Sequence, residues 1–562
     1  MATSLSEPGA GRGQVPDPSL RKDESSAPPL IASEVGAPPF RRILVANRGE
    51  IAVRIIRACH EAGMEAVAVY SDADADAQHV RLADFAVRVG PPPPAQSYLR
   101  MDAIIAAARE TGAEAIHPGY GFLAERAAFA RAVEEAGLVF VGPPSGAIDA
   151  LGDKLHARRT ARDVGVAAVP GTLEPAPVDR ADQIAAILED AARIGYPLLV
   201  KAAAGGGGRG MRRVATPAEL PAALASGSHE AAAAFGDGSV YLEREIAPVR
   251  HIEVQLLGDV FGRVVAIGER DCSLQRRHQK LVEEAPAPGL SIEERRELHR
   301  LAVTVATAAG LRNAATAEFL RAPDGSFYFL EVNTRLQVEH GVTELVSGLD
   351  IVREQFRLAA GWPLSAEASA AAERAAEPAG HAIEVRITAE DPSRDFAPTP
   401  GRISRWVMPS GPGVRVDCGI EAGDRVAPEY DNLIAKIMVH AGDRAAAIAR
   451  LRRALDETEI AGIQTTVPFH QFVARSASFG AAELSTAWVG EHWDGAASFE
   501  EAARVAQLAA ALDAVDNGVL PSGATGGSSA GAVHPQGNIT PATGNGRWVA
   551  AGRQAGTDRW PR

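Results

Sequence analysis

Apolar residues along this chain change their period several times, and each change predicts an element. Ile43 to Ala46 is a short apolar run that reads as a strand, and Arg48-Gly-Glu50 reads as a turn. Ile51 to His60 carries apolar residues at helical spacing and stops near Gly63. A second strand, Ala66 to Tyr70, follows at once, and a βαβ start predicts a parallel sheet with helices on its faces. The α/β rhythm continues to about residue 150, where strand Ala113–Ile116 leads into the loop His117-Pro-Gly-Tyr-Gly-Phe122. From about residue 381 the pattern shifts to short strands, His381–Ile387, Gly401–Trp406 and Val414–Cys418, then a helix around Arg444–Glu457. After about residue 500 an Ala-rich helical stretch runs to Val515. Residues 1–39 and the end of the chain are rich in Pro, Gly, Ser and Ala without periodicity and read as disordered extensions.

One stretch breaks the ordinary logic of alternation. In Phe327-Tyr-Phe-Leu-Glu-Val-Asn-Thr-Arg-Leu-Gln-Val-Glu-His340, residues two apart share a side of an extended chain. Phe327 and Phe329 start a register that Glu331, Asn333, Arg335, Gln337 and Glu339 continue. Oxygen donors followed by a cation, an amide and a carboxylate suit a hard metal beside an anionic reactant. Glu318 lies on the preceding apolar strand, and a hairpin predicts it beside Glu331. Two carboxylates and the Asn333 amide meet the usual demand of Mg²⁺. Similarly, His251-Ile-Glu-Val-Gln-Leu256 alternates strictly and places His251, Glu253 and Gln255 on one face.

Composition narrows the field. The chain has 562 residues, 46% hydrophobic and 23% charged, enough for three or four domains. Its net charge of −14 argues against a general nucleic-acid binder, so anions need local cationic sites. No apolar run reaches bilayer length, and the N-terminus has no signal or transit pattern. Cys59, Cys272 and Cys418 are dispersed, which predicts a reducing cytosol and neither a disulfide framework nor a zinc site. Only five of the 57 basic residues are lysine, and three of these sit in motifs fit for phosphate: Lys154 in Gly-Asp-Lys, Lys201 in Leu-Val-Lys-Ala, and Lys280 in Gln-Arg-Arg-His-Gln-Lys. A lysine ammonium is a compact point charge suited to a phosphate oxygen. Ala204-Gly-Gly-Gly-Gly-Arg-Gly-Met211 follows Lys201 closely and reads as a mobile lid with bare N–H groups. Neither Gly-x-Gly-x-x-Gly nor a Walker-type motif is present.

Taken together, the motifs resemble an ATP-grasp ligase, and specifically the biotin carboxylase family, over about residues 40–490. The resemblance is carried by Ala-Asn-Arg-Gly-Glu-Ile at 46–51, His-Pro-Gly-Tyr-Gly-Phe-Leu at 117–123 and Gly-Asp-Lys at 152–154. It continues in Glu-Arg-Asp-Cys-Ser-Leu-Gln-Arg-Arg-His-Gln-Lys at 269–280, Glu-Glu-Ala-Pro-Ala-Pro at 283–288 and Glu-Val-Asn-Thr-Arg-Leu-Gln-Val-Glu-His at 331–340. It implies an α/β fold: a doubly wound parallel-sheet domain at 40–153, an ATP-grasp domain at 154–360 with its lid at about 172–243, and an α+β domain at 375–490, leaving 491–562 as a helical stretch and tail.

The resemblance also implies roles. Lys154 and Lys201 would hold ATP phosphates beneath Gly207 and Gly208 of the lid. Glu243 and the segment to Ile246 would line the adenine pocket, with His251, Gln275 and His278 near the ribose and phosphates. Glu318, Glu331 and Asn333 would bind Mg²⁺ or Mn²⁺. Lys280, Arg335, Gln337 and Val338 would fix bicarbonate, Glu339 would be the general base, and Arg386 would stabilise the enolate-like form of biotin. The expected partners are a separate biotin carboxyl carrier protein, since no lysine follows Lys436, and a carboxyltransferase. A cytoplasmic homodimer in an acetyl- or propionyl-CoA carboxylase of fatty acid biosynthesis is expected, without nucleic acid or membrane. The alternatives are the matching component of a two-part pyruvate carboxylase and a non-catalytic nucleotide-binding protein of the assembly, against which Lys280, Arg335 and Glu339 argue. Two departures from the family pattern, Ala204 and Gly341, imply a stiffer lid and a looser turn.

Overall fold

The computed structural model describes residues 38–176, 181–203 and 211–516. The extension through residue 37, the Gly-rich run with Gly207 and Gly208, its Ala204, and the tail from residue 517 lie outside the described residues. Two units divide the chain, and the larger holds residues up to Pro392 and Phe396–Trp493, including every strand named below.

Strands β1 (Arg42–Val45), β2 (Glu65–Ser71), β3 (Phe85–Gly90), β4 (Ala115–His117) and β5 (Val139–Phe140) form a parallel sheet in the order β3-β2-β1-β4-β5. Helix α1 (Gly49–Glu61) connects β1 to β2 and buries Ile51, Ile55, Ile56 and Cys59, the apolar stripe read from the sequence. Strand order reverses at β1, so the loops after β1 and β4 meet at the carboxyl edge, where an open α/β sheet opens a crevice.

Helix α2 (Lys154–Asp163) starts the central region, and Asp153 caps it by accepting from the His156 N–H. Helices α3 (Ala181–Ile194) and α4 (Leu220–Phe235) flank a small sheet in which β6 (Leu198–Ala202) lies between β7 (Arg212–Val214) and β8 (Val240–Arg244). This layer has its own core, which includes Ile187, Leu198, Val200, Leu224 and Leu242.

The main sheet has eight strands. β9 (Arg250–Gly258), β10 (Val264–Arg276), β11 (Gln279–Ala285), β12 (Asn313–Arg321) and β13 (Phe327–Asn333) are joined by β14 (His381–Thr388), β15 (Val414–Cys418) and β16 (Leu433–Ala441). The order is β13-β12-β9-β10-β11-β14-β16-β15. β14 pairs directly with β11, so β14 to β16, all from residue 381 onward, continue the sheet of β9 to β13. Helix α5 (Ile292–Ala308), begun by a Ser291–Glu294 capping box, packs Leu298, Ala302 and Val305 under Ile252, Val254, Phe319 and Phe329. Helix α6 (His340–Ser347) follows the polar stretch, and α7 (Arg444–Glu457) covers β16 with Ile448, Leu451 and Leu455. Helix α8 (Gly495–Asp516), in the smaller unit, presents Val505, Leu508 and Leu512 as exposed. No helix among the described residues is long and apolar enough to cross a membrane.

Candidate active site

The face of the main sheet opposite α5 is lined with charge. Its geometry starts in the β12–β13 hairpin, where Glu318 stands directly opposite Glu331 and Thr316 opposite Asn333. The uninterrupted register expected from Phe327 to Glu339 is not what forms. The pairing shifts between Glu318 and Phe319, leaving Leu330 unopposed as a bulge. The extra residue reverses the phase, so Phe329 and Val332 share the core while Glu331 and Asn333 turn to the polar face. β13 then ends at Asn333, and residues 334–339 reach the site as a loop, not as strand alternation.

That loop converges on the hairpin. The Asn333 Nδ2 donates to Glu318 Oε1 at 2.8 Å, and the Gln337 Nε2 donates to the same oxygen at 3.3 Å. Arg335 donates from Nη1 to Gln337 Oε1 at 2.8 Å and from Nη2 to Asn333 Oδ1 at 3.2 Å, while its Nε lies 3.0 Å from Glu125 Oε2. Lys280, from β11, is the hub: its Nζ lies 2.5 Å from Glu253 Oε2, 3.0 Å from Glu318 Oε1 and 2.6 Å from Glu339 Oε1. Arg386, from β14, reaches Glu339 Oε2 at 2.8 Å and Glu283 Oε1 at 2.6 Å. Lys280, Glu318, Glu339 and Arg386, far apart in sequence, therefore form one network.

The electrostatics follow from burial. Burial alone would push the Glu339 carboxyl up, but the Lys280 ammonium and the Arg386 guanidinium hold it well below the usual carboxylate range. Burial opposes charge on Glu318 too, and Lys280 and His251 overcome it, so its carboxyl is also lowered. Lys280 is raised well above an ordinary lysine, because Glu253, Glu318 and Glu339 outweigh its desolvation. His251 Nε2 lies 2.9 Å from Glu318 Oε2, and its Nδ1 meets Gln275 Nε2 at 2.6 Å. His278 sits with Arg277 at the tip of the β10–β11 hairpin, both with positive φ (65° and 49°). Two left-handed non-glycine residues in a tight turn are strained, a feature common at functional sites.

Lys154 sits on the first turn of α2 and meets Glu331 Oε2 at 2.5 Å. Lys201 on β6 pairs with Glu243 on β8, which is also held by the buried Arg158. Ile246 lies half-buried just beyond β8, and the Val338 carbonyl accepts from Lys436 Nζ at 2.7 Å. The three motif lysines are thus all neutralised by carboxylates, which their scarcity in the sequence alone did not foretell.

Several residues were not assigned a role from sequence. Arg270, fully buried on β10, donates to Glu253 Oε1 at 2.5 Å, Gln255 Oε1 at 2.9 Å and Thr343 Oγ1 at 2.8 Å, and so locks the β9 face. Its signal was the unpaired-looking Glu253 on that face. Lys436 is fully buried, with Glu50 Oε1 at 3.3 Å. It was conspicuous only as a lysine in an arginine-rich chain.

Known proteins fit this arrangement. The sequence model described as the biotin carboxylase N-terminal domain matches residues 39–148. The carbamoyl-phosphate synthase L chain ATP-binding domain matches 153–367, and the biotin carboxylase C-terminal domain matches 384–491. A biotin carboxylase from Haemophilus influenzae is 48% identical over 440 residues, 78% of this chain and 96% of its own length. The chain belongs to the biotin carboxylase family. As such it is an ATP-dependent ligase with an ATP-grasp domain. A pyruvate carboxylase subunit from Methanothermobacter thermautotrophicus is 47% identical, covering 81% of this chain and 90% of that protein. The fold also superimposes on solved biotin carboxylases. A biotin carboxylase–β,γ-ATP complex from Campylobacter jejuni matches with TM-score 0.77 and 43% identity over 81% of this chain and 99% of that one. The biotin carboxylase domain dimer of the Hydrogenobacter thermophilus 2-oxoglutarate carboxylase, in complex with MgADP, ADP and bicarbonate, matches with TM-score 0.76 and 43% identity over 81% and 98%.

Proposed function

We propose that the network around Lys280 is where this ligase carboxylates biotin on a separate carrier protein, using ATP and bicarbonate through carboxyphosphate. The observation that carries the reading is that Glu339, buried and anionic, stands between two cations, Lys280 at 2.6 Å and Arg386 at 2.8 Å. Lys280, Arg335, Gln337 and the Val338 backbone bind bicarbonate. When that anion engages Lys280, Glu339 loses one of its two stabilising partners. Burial then raises its basicity, so it takes the bicarbonate proton when needed. Lys154 and Lys201 bind ATP phosphates, Glu243 and Ile246 border the adenine, and His251, Gln275 and His278 flank the ribose and phosphates.

Glu318 and Glu331, directly paired across the hairpin, and the Asn333 amide oxygen form a hard-oxygen set that fits Mg²⁺. Bound there, the ion would neutralise charge on the phosphate oxygens. Lys154 and Lys280 balance the same carboxylates from the other side. Arg386 stabilises the enolate-like biotin that captures CO₂.

The carboxyl group carried on biotin then passes, at a carboxyltransferase partner, to acetyl- or propionyl-CoA, and the chain itself works as a cytoplasmic homodimer. A two-part pyruvate carboxylase is the second reading, favoured by the 47% identity to the Methanothermobacter protein. Co-purifying partners separate the two. For the site itself, Glu339→Gln should bind ATP and lose biotin-dependent turnover by about 10²–10⁴-fold, the usual worth of a general base. Retained activity removes Glu339 from that role.

A further inference from the structure

Arg386 is held by two carboxylates, and only one of them has a role so far. Its Nη2 lies 2.8 Å from Glu339 Oε2 and 2.5 Å from Glu283 Oε1, and its Nε donates to that same Glu283 oxygen at 2.6 Å. Glu283 lies on β11, pairs across the sheet with Glu384 of β14, and is fully buried. Its other oxygen, Oε2, meets no hydrogen-bond donor among the described residues. A buried carboxylate that spends one oxygen on a single guanidinium and leaves the second unmatched is costly unless the grip itself is needed.

The grip is needed at one moment of the reaction. On the reading above, a bicarbonate oxygen bonds the γ-phosphorus and the bond from that phosphorus to the ADP oxygen breaks. The bicarbonate O–H breaks as well, and its proton passes to Glu339. Neutral Glu339 then no longer attracts Arg386, just before the guanidinium must meet the ureido oxygen. We propose that Glu283 is a positioning residue for the biotin half-reaction: it keeps Arg386 aimed into the site after Glu339 has taken the bicarbonate proton. This rests on the roles given to Glu339 and Arg386.

The surrounding charges make the device readable by pH. Facing Glu283 are Lys280 on its own strand, Cys272 on β10, Glu384 and Arg386 on β14, and Glu339 on the loop. Burial holds Glu384 and the Cys272 thiol neutral, raising both well above their ordinary values. Lys280 and Arg386 stay cationic and Glu339 anionic. Burial pushes Glu283 up to about 7, with Arg386 opposing and Glu339 adding. Glu283 therefore holds Arg386 above about pH 7 and releases it below.

The test uses Glu283→Gln and Glu283→Asp in the full chain, with Arg386→Gln alongside, assayed with free biotin. For Glu283→Gln the proposal expects KM for biotin to rise about tenfold, with KM for ATP and bicarbonate within about twofold. Phosphate released per carboxybiotin formed should climb above wild type, which a merely structural loss does not produce, and Glu283→Asp should recover part of the coupling. Wild-type kcat/KM for biotin should fall as pH drops through about 7, and that limb should vanish in Glu283→Gln. Unchanged biotin KM and coupling in Glu283→Gln overturn the proposal. If the variants fold poorly, the wild-type profile decides, and the absence of an acid limb near 7 overturns it. Wild-type biotin turnover in Arg386→Gln instead defeats the underlying reading of Arg386, whatever Glu283 does.

Discussion

The four lysines among the described residues of an arginine-rich chain differ by position. Lys154, Lys201 and Lys280 each meet a carboxylate, and Lys436, directly opposite Arg386 in the main sheet, meets the Val338 carbonyl. A buried lysine is tolerable only with partners, and Lys436 has Glu50 at 3.3 Å and Asp417 at 3.8 Å as well. Glu50 and Asp417 act to keep it charged against its burial. Lys436→Met removes the cation and strands these acids, so urea unfolding should register a loss of about 3–5 kcal/mol. A variant as stable as wild type would mean that the acids repartner or take up protons at no cost. The polar residues that meet in the network around Lys280 stood out in sequence because polar residues at period two are rare beside apolar ones. Their partners were not, because ion pairs such as Arg386–Glu339 join residues that only the fold brings together.

At the scale of elements, β-alternation brought the expected polar residues to one face only with the help of a bulge and a loop. The hairpin pairing of Glu318 with Glu331 was readable, but the bulge at Leu330 was not, since an extra residue leaves no mark in composition. Without it Phe329 and Glu331 would share a face, and either the core or the site would be lost. The three helices read from sequence, Arg444–Glu457 among them, were legible almost to their ends, because an amphipathic stripe is local. The looser turn expected at Gly341 is corrected by packing. Gly341 is buried in the first turn of α6, where a Cβ would overlap the Met438 sulfur and approach Glu384 Oε2 to 3.5 Å. Gly341→Ala should therefore cost about 1–3 kcal/mol in a thermal or urea melt, as overpacking does. A smaller apolar side chain at 438 in the same chain should recover part of it, because the two sites are in contact. A neutral Gly341→Ala would mean that Met438 has room to move.

Across the larger unit, three larger sheets carry the carboxylase segments, and buried histidines lie among them. His79 is pushed down to about 4, His117 to about 3 and His470 to about 4, in each case chiefly by burial, which disfavours the imidazolium. In the unfolded chain these groups take protons below about 6.5, while in the folded chain they stay neutral until much lower pH. Folding therefore excludes protons between those values, and stability rises with pH across the window. Between about pH 6.5 and 4 the melting temperature of His470→Gln should therefore fall less than that of the wild type, because one proton-excluding site is gone. An equal or larger fall in the variant would contradict the neutral buried state.

The most direct measurement of the central claim is ATP hydrolysis by the purified chain, with Mg²⁺ and with free biotin and bicarbonate each added or withheld. The account predicts turnover that requires bicarbonate, rises with biotin, and is lost in Glu339→Gln while nucleotide still binds. ATP turnover indifferent to both biotin and bicarbonate would contradict it.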